Sequence, residues 1–194
     1  MNICVFGASS SNIAPEYFDA ARELGALIAQ QGHCLVFGGG KSGLMGACAQ
    51  GVLENGGKAI GIAPRFFDEP DVLLVDECSE FIFTETMAER KSLMEDKAEA
   101  FIALPGGIGT YEEFFEVLTL KQLGRHGRSM CLLNTLGYFE PFIALLEATA
   151  DKGFMSRNCL ELYKVCNTPA QALAHALTVE ENIGSIKRLS DYNK

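Results

Sequence analysis

Phe101-Ile-Ala-Leu-Pro105-Gly-Gly-Ile-Gly-Thr110-Tyr-Glu-Glu113 joins an apolar run, a glycine-rich turn and the opening of a helix. Phe101 to Leu104 predicts a buried strand, and Pro105 stops it. Gly106, Gly107 and Gly109 permit positive φ and close backbone approach by another molecule. Thr110 is a natural N-cap, followed at helical spacing by Phe114, Val117 and Leu118. A glycine turn that feeds a helix N-terminus presents unpaired N–H groups and the positive end of the helix dipole, a setting that suits phosphate. Thr110-x-x-Glu113 also fits a capping box, in which Glu113 only satisfies a backbone amide. Three glycines in four residues beside two adjacent carboxylates exceed what a cap requires, which favours a site.

Outward from this stretch the chain alternates strands and helices. Strands are expected at 2–6, 34–37, 58–63, 80–83, 101–104, 129–133 and 162–166. Helices are expected at 14–30, from the glycine turn at 38–46 to about 53, and at 84–97, 110–123, 138–151 and 168–178. Residues 64–76 read as a long loop. The pattern predicts an α/β protein with a Rossmann-like, doubly wound, mainly parallel sheet and helices on both faces. Residues 1–180 are expected to form a single nucleotide-binding domain and 181–194 a C-terminal tail. Ligands bind such sheets at the carboxyl ends of strands, where the turns 7–12, 38–43 and 105–110 would line one crevice.

The 194 residues suffice for one sizeable core, and the formal charge of -9 argues against nucleic-acid polymers and anionic membranes as partners. Seven scattered cysteines without a Cys-x-x-Cys pair suggest reduced thiols, and with the sequence going straight into a strand no signal peptide is expected. A cytoplasmic protein is expected. The isolated histidines give no metal spacing, and neither a metal nor a cofactor is expected.

Familiar phosphate motifs fail. The first strand leads into Gly7-Ala-Ser-Ser-Ser rather than Gly-x-Gly-x-x-Gly, and Gly40-Lys41-Ser42 has Leu35 where a P-loop needs glycine. The glycines of 38–46 could also serve tight strand–helix packing alone. On the 84–97 helix, Met87, Arg90, Lys91 and Met94 share one face. The two methionines are expected inward, which turns Arg90 and Lys91 toward the protein. Either an internal salt bridge, perhaps with Glu113, or an anionic ligand would satisfy them.

Met87-x-x-Arg90-Lys91 followed by Pro105-Gly-Gly-Ile-Gly-Thr110-Tyr-Glu-Glu113 closely resembles the LOG family of phosphoribohydrolases, known from cytokinin activation and often labelled lysine decarboxylase-like. Val5-Phe-Gly-Ala-Ser-Ser, Gly38-Gly-Gly-x-x-Gly-Leu-Met-Gly46, Gln122-Leu-Gly124 and Leu133-Asn-x-x-Gly-Tyr138 extend the resemblance over about residues 2–155. It implies a Rossmann-like homodimer with the site at or near the interface. It also implies hydrolysis of a nucleoside 5′-monophosphate, a cytokinin riboside monophosphate or AMP, to free base and ribose 5-phosphate. Arg90 and Glu113 are the implied catalytic pair. Gly106, Gly107, Ile108, Gly109 and Thr110 take the phosphate, and Ser9, Gly39, Gly40, Met87, Lys91, Glu112 and Thr119 complete the implied substrate pocket. Lys41 stands where relatives often have a small residue, Leu120 where they often have an aromatic, and 64–76 departs from the plant pattern; these changes bear on base preference. The residues alone do not separate Glu112 from Glu113. Two other functions fit the scaffold less well: a non-enzymatic nucleotide or cofactor carrier, and an amino-acid decarboxylase needing a Schiff-base lysine, for which Lys41, Lys91 and Lys121 lack a surrounding motif.

Overall fold

The computed structural model describes residues 1–178. The strands are β1 (Asn2–Phe6), β2 (Cys34–Phe37), β3 (Lys58–Pro64), β4 (Glu80–Thr84), β5 (Ala100–Ala103), β6 (Ser129–Leu133) and β7 (Lys164–Cys166). They form one sheet in the order β4-β3-β2-β1-β5-β6-β7, and every pairing is parallel. The helices are α1 (Pro15–Gln30), α2 (Gly43–Glu54), α3 (Met87–Lys97), α4 (Ile108–Gln122), α5 (Glu140–Asp151) and α6 (Pro169–Ala176). The expected Rossmann-like architecture is therefore present, and the sheet is wholly parallel. The expected tail, 181–194, lies outside the described residues.

Alternation along the strands splits the core in two. Ile3 and Val5 of β1 pack with Leu24 and Ile28 of α1, Leu44 and Val52 of α2, and Leu173 of α6. Cys4 and Phe6 point to the other face, with Met94 of α3, Phe114 and Val117 of α4, and Phe142 and Leu146 of α5. A strand with period-two side chains and apolar residues at every position can only be buried by helices on both sides. On the first face α1 and α2 cross closely. A Cβ at Gly25 would strike the Cys48 carbonyl oxygen, and one at Gly51 would strike that of Arg22.

Several boundaries differ from expectation. Thr84 ends β4, and the next helix begins only at Met87, because the Thr86 side chain accepts a hydrogen bond from the Glu89 amide at 3.1 Å. The helix after the glycine turn begins at Ile108 with Gly107 as its cap, so Thr110 lies inside the first turn and does not cap it. The 64–76 loop contains a short 3-10 turn at Arg65–Phe67, and Leu73 bridges to Gly40.

The strand order reverses between β1 and β5, the switch point where an open α/β sheet leaves a crevice. Three turns meet there through Ala8. Its amide donates to the Pro105 carbonyl at 3.0 Å, and its carbonyl accepts from the Leu44 amide at 2.8 Å. Gly43 has φ +67°, and any Cβ there would collide with that same Ala8 carbonyl.

Because α1 and α2 touch through backbone, Gly25→Val is expected to destabilise the protein by about 1–3 kcal/mol in urea denaturation, the usual cost of overpacking. The exposed Gly32→Ala, strained at φ +74° but meeting no neighbour within 4 Å, should cost less.

Candidate active site

The crevice at the switch point holds a cavity of about 400 Å³, within the range of small-molecule sites. Gly7, Ala8 and Ser9 wall one side, and Gly107, Ile108, Gly109 and Thr110 form the opening turn of α4 on another. Arg90 and Glu113 bring charge, and Met45, Phe67, Val72, Leu73 and Met87 supply an apolar side.

Arg90 and Glu113 come from α3 and α4, adjacent helices on one face of the sheet. Arg90 Nη1 donates to Glu113 Oε1 at 2.7 Å, and Arg90 Nε donates to the Ile62 carbonyl at 3.2 Å. Both side chains are less than a tenth exposed. Gly38 is required beside them, since a Cβ there would meet Arg90 Nη2. Burial pushes the Glu113 carboxyl above the ordinary glutamate range, and the Arg90 guanidinium pulls it partly back. The sequence left two readings of Arg90 open, an internal ion pair or a ligand contact. Arg90 does make the pair with Glu113 and also reaches the cavity wall.

The helix end is open as a phosphate cradle requires. Its amides at 107–110 precede the first intrahelical bond, which runs from Tyr111 N to the Gly107 carbonyl at 3.1 Å. Gly107 and Gly109 face open space, so backbone is accessible there. The capping-box alternative for Glu113 does not hold, because that carboxylate turns to Arg90 instead of an amide at the helix start. Glu112 and Glu113, inseparable in sequence, separate in space. Glu113 is buried at the cavity, whereas Glu112 is exposed and pairs with Lys91.

Of the other residues singled out from sequence, Ser9, Gly40 and Met87 line the cavity. Met87 is 37% exposed at its rim rather than turned into the core with Met94. Gly39 lies behind the wall with φ +75°, packed against the Phe81 ring, and Gly106 packs against the Thr110 side chain and the Ala8 amide. Lys91 pairs with Glu112 and with Glu116 at 2.8 Å, and neither Lys91, Glu112 nor exposed Thr119 lines the cavity of one chain. Sequence reading passed over Met45, Phe67, Val72 and Leu73. Two adjacent phenylalanines, Phe66 and Phe67, in a loop otherwise rich in acids were the available signal.

The lysines that a Schiff base would need are placed elsewhere. Lys41 pairs with Asp71 and Glu77, Lys91 with its two glutamates, and no lysine lines the cavity among the described residues. That arrangement disfavours amino-acid decarboxylation, which needs a lysine at the cofactor.

A family model described as possible lysine decarboxylase matches residues 45–176. Cytokinin riboside 5′-monophosphate phosphoribohydrolase LOG2 of Arabidopsis thaliana is 41% identical over 154 residues, covering 79% of this chain and 72% of the relative. The chain belongs to the LOG family. A second relative of this LOG-family chain, the cytokinin riboside 5′-monophosphate phosphoribohydrolase of Mycobacterium marinum, is 40% identical over 159 residues, covering 82% of this chain and 84% of the other. Among solved structures, the molybdenum cofactor carrier protein of Chlamydomonas reinhardtii superposes with a TM-score of 0.67 at 28% identity, covering 89% of this chain and 93% of that one.

Removing one member of a buried pair strands the other charge. Arg90→Ala is expected to lower stability by about 3–5 kcal/mol in chemical denaturation. Glu113→Gln keeps an acceptor oxygen for Nη1 and should cost roughly half as much or less.

Proposed function

We propose that this LOG-family protein hydrolyses the N-glycosidic bond of nucleoside 5′-monophosphates, cytokinin riboside monophosphates or AMP, giving free base and ribose 5-phosphate. The observation that carries the reading is the buried Arg90–Glu113 pair, held beside the open amides of α4 in one cavity. The phosphate is assigned to the amides of 107–110, where backbone donors and the helix dipole favour an anion. The sugar then lies within reach of Glu113, one turn further along the helix.

Breakage of the bond leaves the electron pair on the base and positive charge on the ribose ring. A carboxylate stabilises that oxocarbenium-like state and can orient the water that adds to C1′. The water supplies hydroxide to the sugar and a proton to the departing base. Arg90 keeps Glu113 in position and can assist the leaving group. Holding phosphate and ribose in one geometry contributes much of the acceleration.

Lys91, Glu112 and Thr119, which lie outside the cavity of a single chain, are assigned to a site completed by a second copy in a homodimer. Sedimentation of the purified protein checks the stoichiometry. The setting proposed is cytoplasmic, and no helix among the described residues is long and apolar enough to cross a membrane.

A second reading, a carrier of a nucleotide-like cofactor without turnover, is favoured by the likeness to the Chlamydomonas carrier. Incubation with AMP and with isopentenyladenosine monophosphate, followed by chromatography of the free base, separates the two. Base release by the wild type, reduced about a hundredfold or more in Glu113→Gln with nucleotide binding retained, is the expected result. Binding without release from any nucleoside monophosphate would establish the carrier.

Activity needs Glu113 ionised, and burial holds its carboxyl above the usual range. The rate should therefore fall as pH drops through that raised value, with an acid limb centred above the ordinary glutamate pKa of about 4.3.

A further inference from the structure

Tyr138 stands behind the glycine turn, outside the main cavity. Its hydroxyl donates to the Gly106 carbonyl at 2.6 Å and accepts from the Tyr111 hydroxyl at 3.4 Å. Its ring is gripped edge-on by Tyr17 and by Phe139, with centroids 6.0 and 5.1 Å away. Tyr111 is itself stacked on Phe142 at 5.3 Å. The phenol is thus fixed by packing, before any ligand arrives.

What it fixes matters because of peptide geometry. A trans peptide is planar, with its carbonyl and its N–H on opposite edges, and no cis bond occurs among the described residues. The Gly106 carbonyl is drawn to Tyr138, in a small recess of about 170 Å³ that shares Ala8 and Gly107 with the main cavity. The hydrogen on the Gly107 nitrogen must then point away from Tyr138. Gly107 caps α4 and lines the main cavity. Between two glycines a peptide plane rotates at little steric cost, so something outside the turn has to choose its orientation.

We infer that Tyr138 is a positioning residue: by holding the Gly106 carbonyl it aims the Gly107 amide at the phosphate group of the nucleotide. This rests on the assignment of phosphate to the start of α4. A merely structural role, satisfaction of one carbonyl, predicts lost stability with no preference among ligands. A positioning role predicts a loss confined to ligands that carry phosphate.

Calorimetry with ribose 5-phosphate, AMP and adenosine distinguishes the two. Tyr138→Phe keeps the ring and removes the hydroxyl. It should weaken ribose 5-phosphate and AMP by about three- to tenfold, as expected for one hydrogen bond, and leave adenosine unchanged. In turnover, KM for AMP should rise by a similar factor, with kcat nearly constant. Equal weakening of all three ligands, or of none, overturns the inference. Should Tyr138→Phe fail to fold, the wild type still tests it: titration with inorganic phosphate must shift the Gly107 amide resonance, and a resonance that does not move overturns it. Ribose 5-phosphate and inorganic phosphate have no N-glycosidic bond to break, so phosphate binding is read with them free of turnover and the two ideas fail separately. Tyr138-dependent phosphate binding with no base release sinks the hydrolase alone, and base release with Tyr138-independent phosphate binding sinks the inference alone.

Discussion

The ion pair between Arg90 and Glu113 is the constraint around which the site is arranged. Two charges withdrawn from water are costly unless each finds a close partner and its remaining donors are used. Here the guanidinium spends one nitrogen on Glu113 and another on the Ile62 carbonyl. That ties α3, α4 and the end of β3 into one assembly. It also explains Gly38, whose missing side chain leaves room for the guanidinium. The apolar cluster beneath, with Met94, Phe114 and Val117, sets the two helices so that the charges meet.

Glycines in this chain serve two different purposes at one place. Gly43 and Gly46 let backbone pass backbone, since a Cβ on either would strike a carbonyl oxygen, of Ala8 and of Lys41 respectively. Gly107 and Gly109 meet no neighbour and leave the amides of α4 exposed to the cavity. The packing reading of a glycine turn therefore holds at Gly43 and Gly46, while the open amides of 107–110 are the ones to which the phosphate is assigned by proposal. Opposite them the 65–76 segment is laid over the cavity by backbone bonds from Lys41 N to Val72 O and from Leu74 N to Gly39 O, each 2.9 Å. It carries Phe67 and Val72 into the wall.

The fold is shared with the molybdenum cofactor carrier protein of Chlamydomonas reinhardtii, and the chain is similar in sequence to cytokinin riboside 5′-monophosphate phosphoribohydrolases. A fold of this kind offers a crevice and an anion-binding helix end, and neither commits it to chemistry. The distinction lies in side chains. Here they are a buried carboxylate displaced toward a higher pKa and the arginine that clamps it.

Sequence alone determined the alternation of strands and helices, the turn that ends β5, the sharing of one helix face by Arg90 and Lys91, and the family motif. All of these rest on spacing within a few residues, which local sterics and periodicity fix. Tertiary structure decided the rest. Glu113 became the buried carboxylate and Glu112 the exposed one because α4 rolls Phe114 and Val117 into the core. Lys91 turned to Glu112 and Glu116 on the next helix, not to the cavity. The helix start moved from Thr110 to Ile108 because Gly107 takes the cap and Thr110 packs on Gly106. Phe67 and Val72 reached the cavity, and Tyr138 the back of the glycine turn, from distant segments. Such contacts depend on how whole elements stack across the sheet, and that information is spread over the chain rather than written beside the residues concerned.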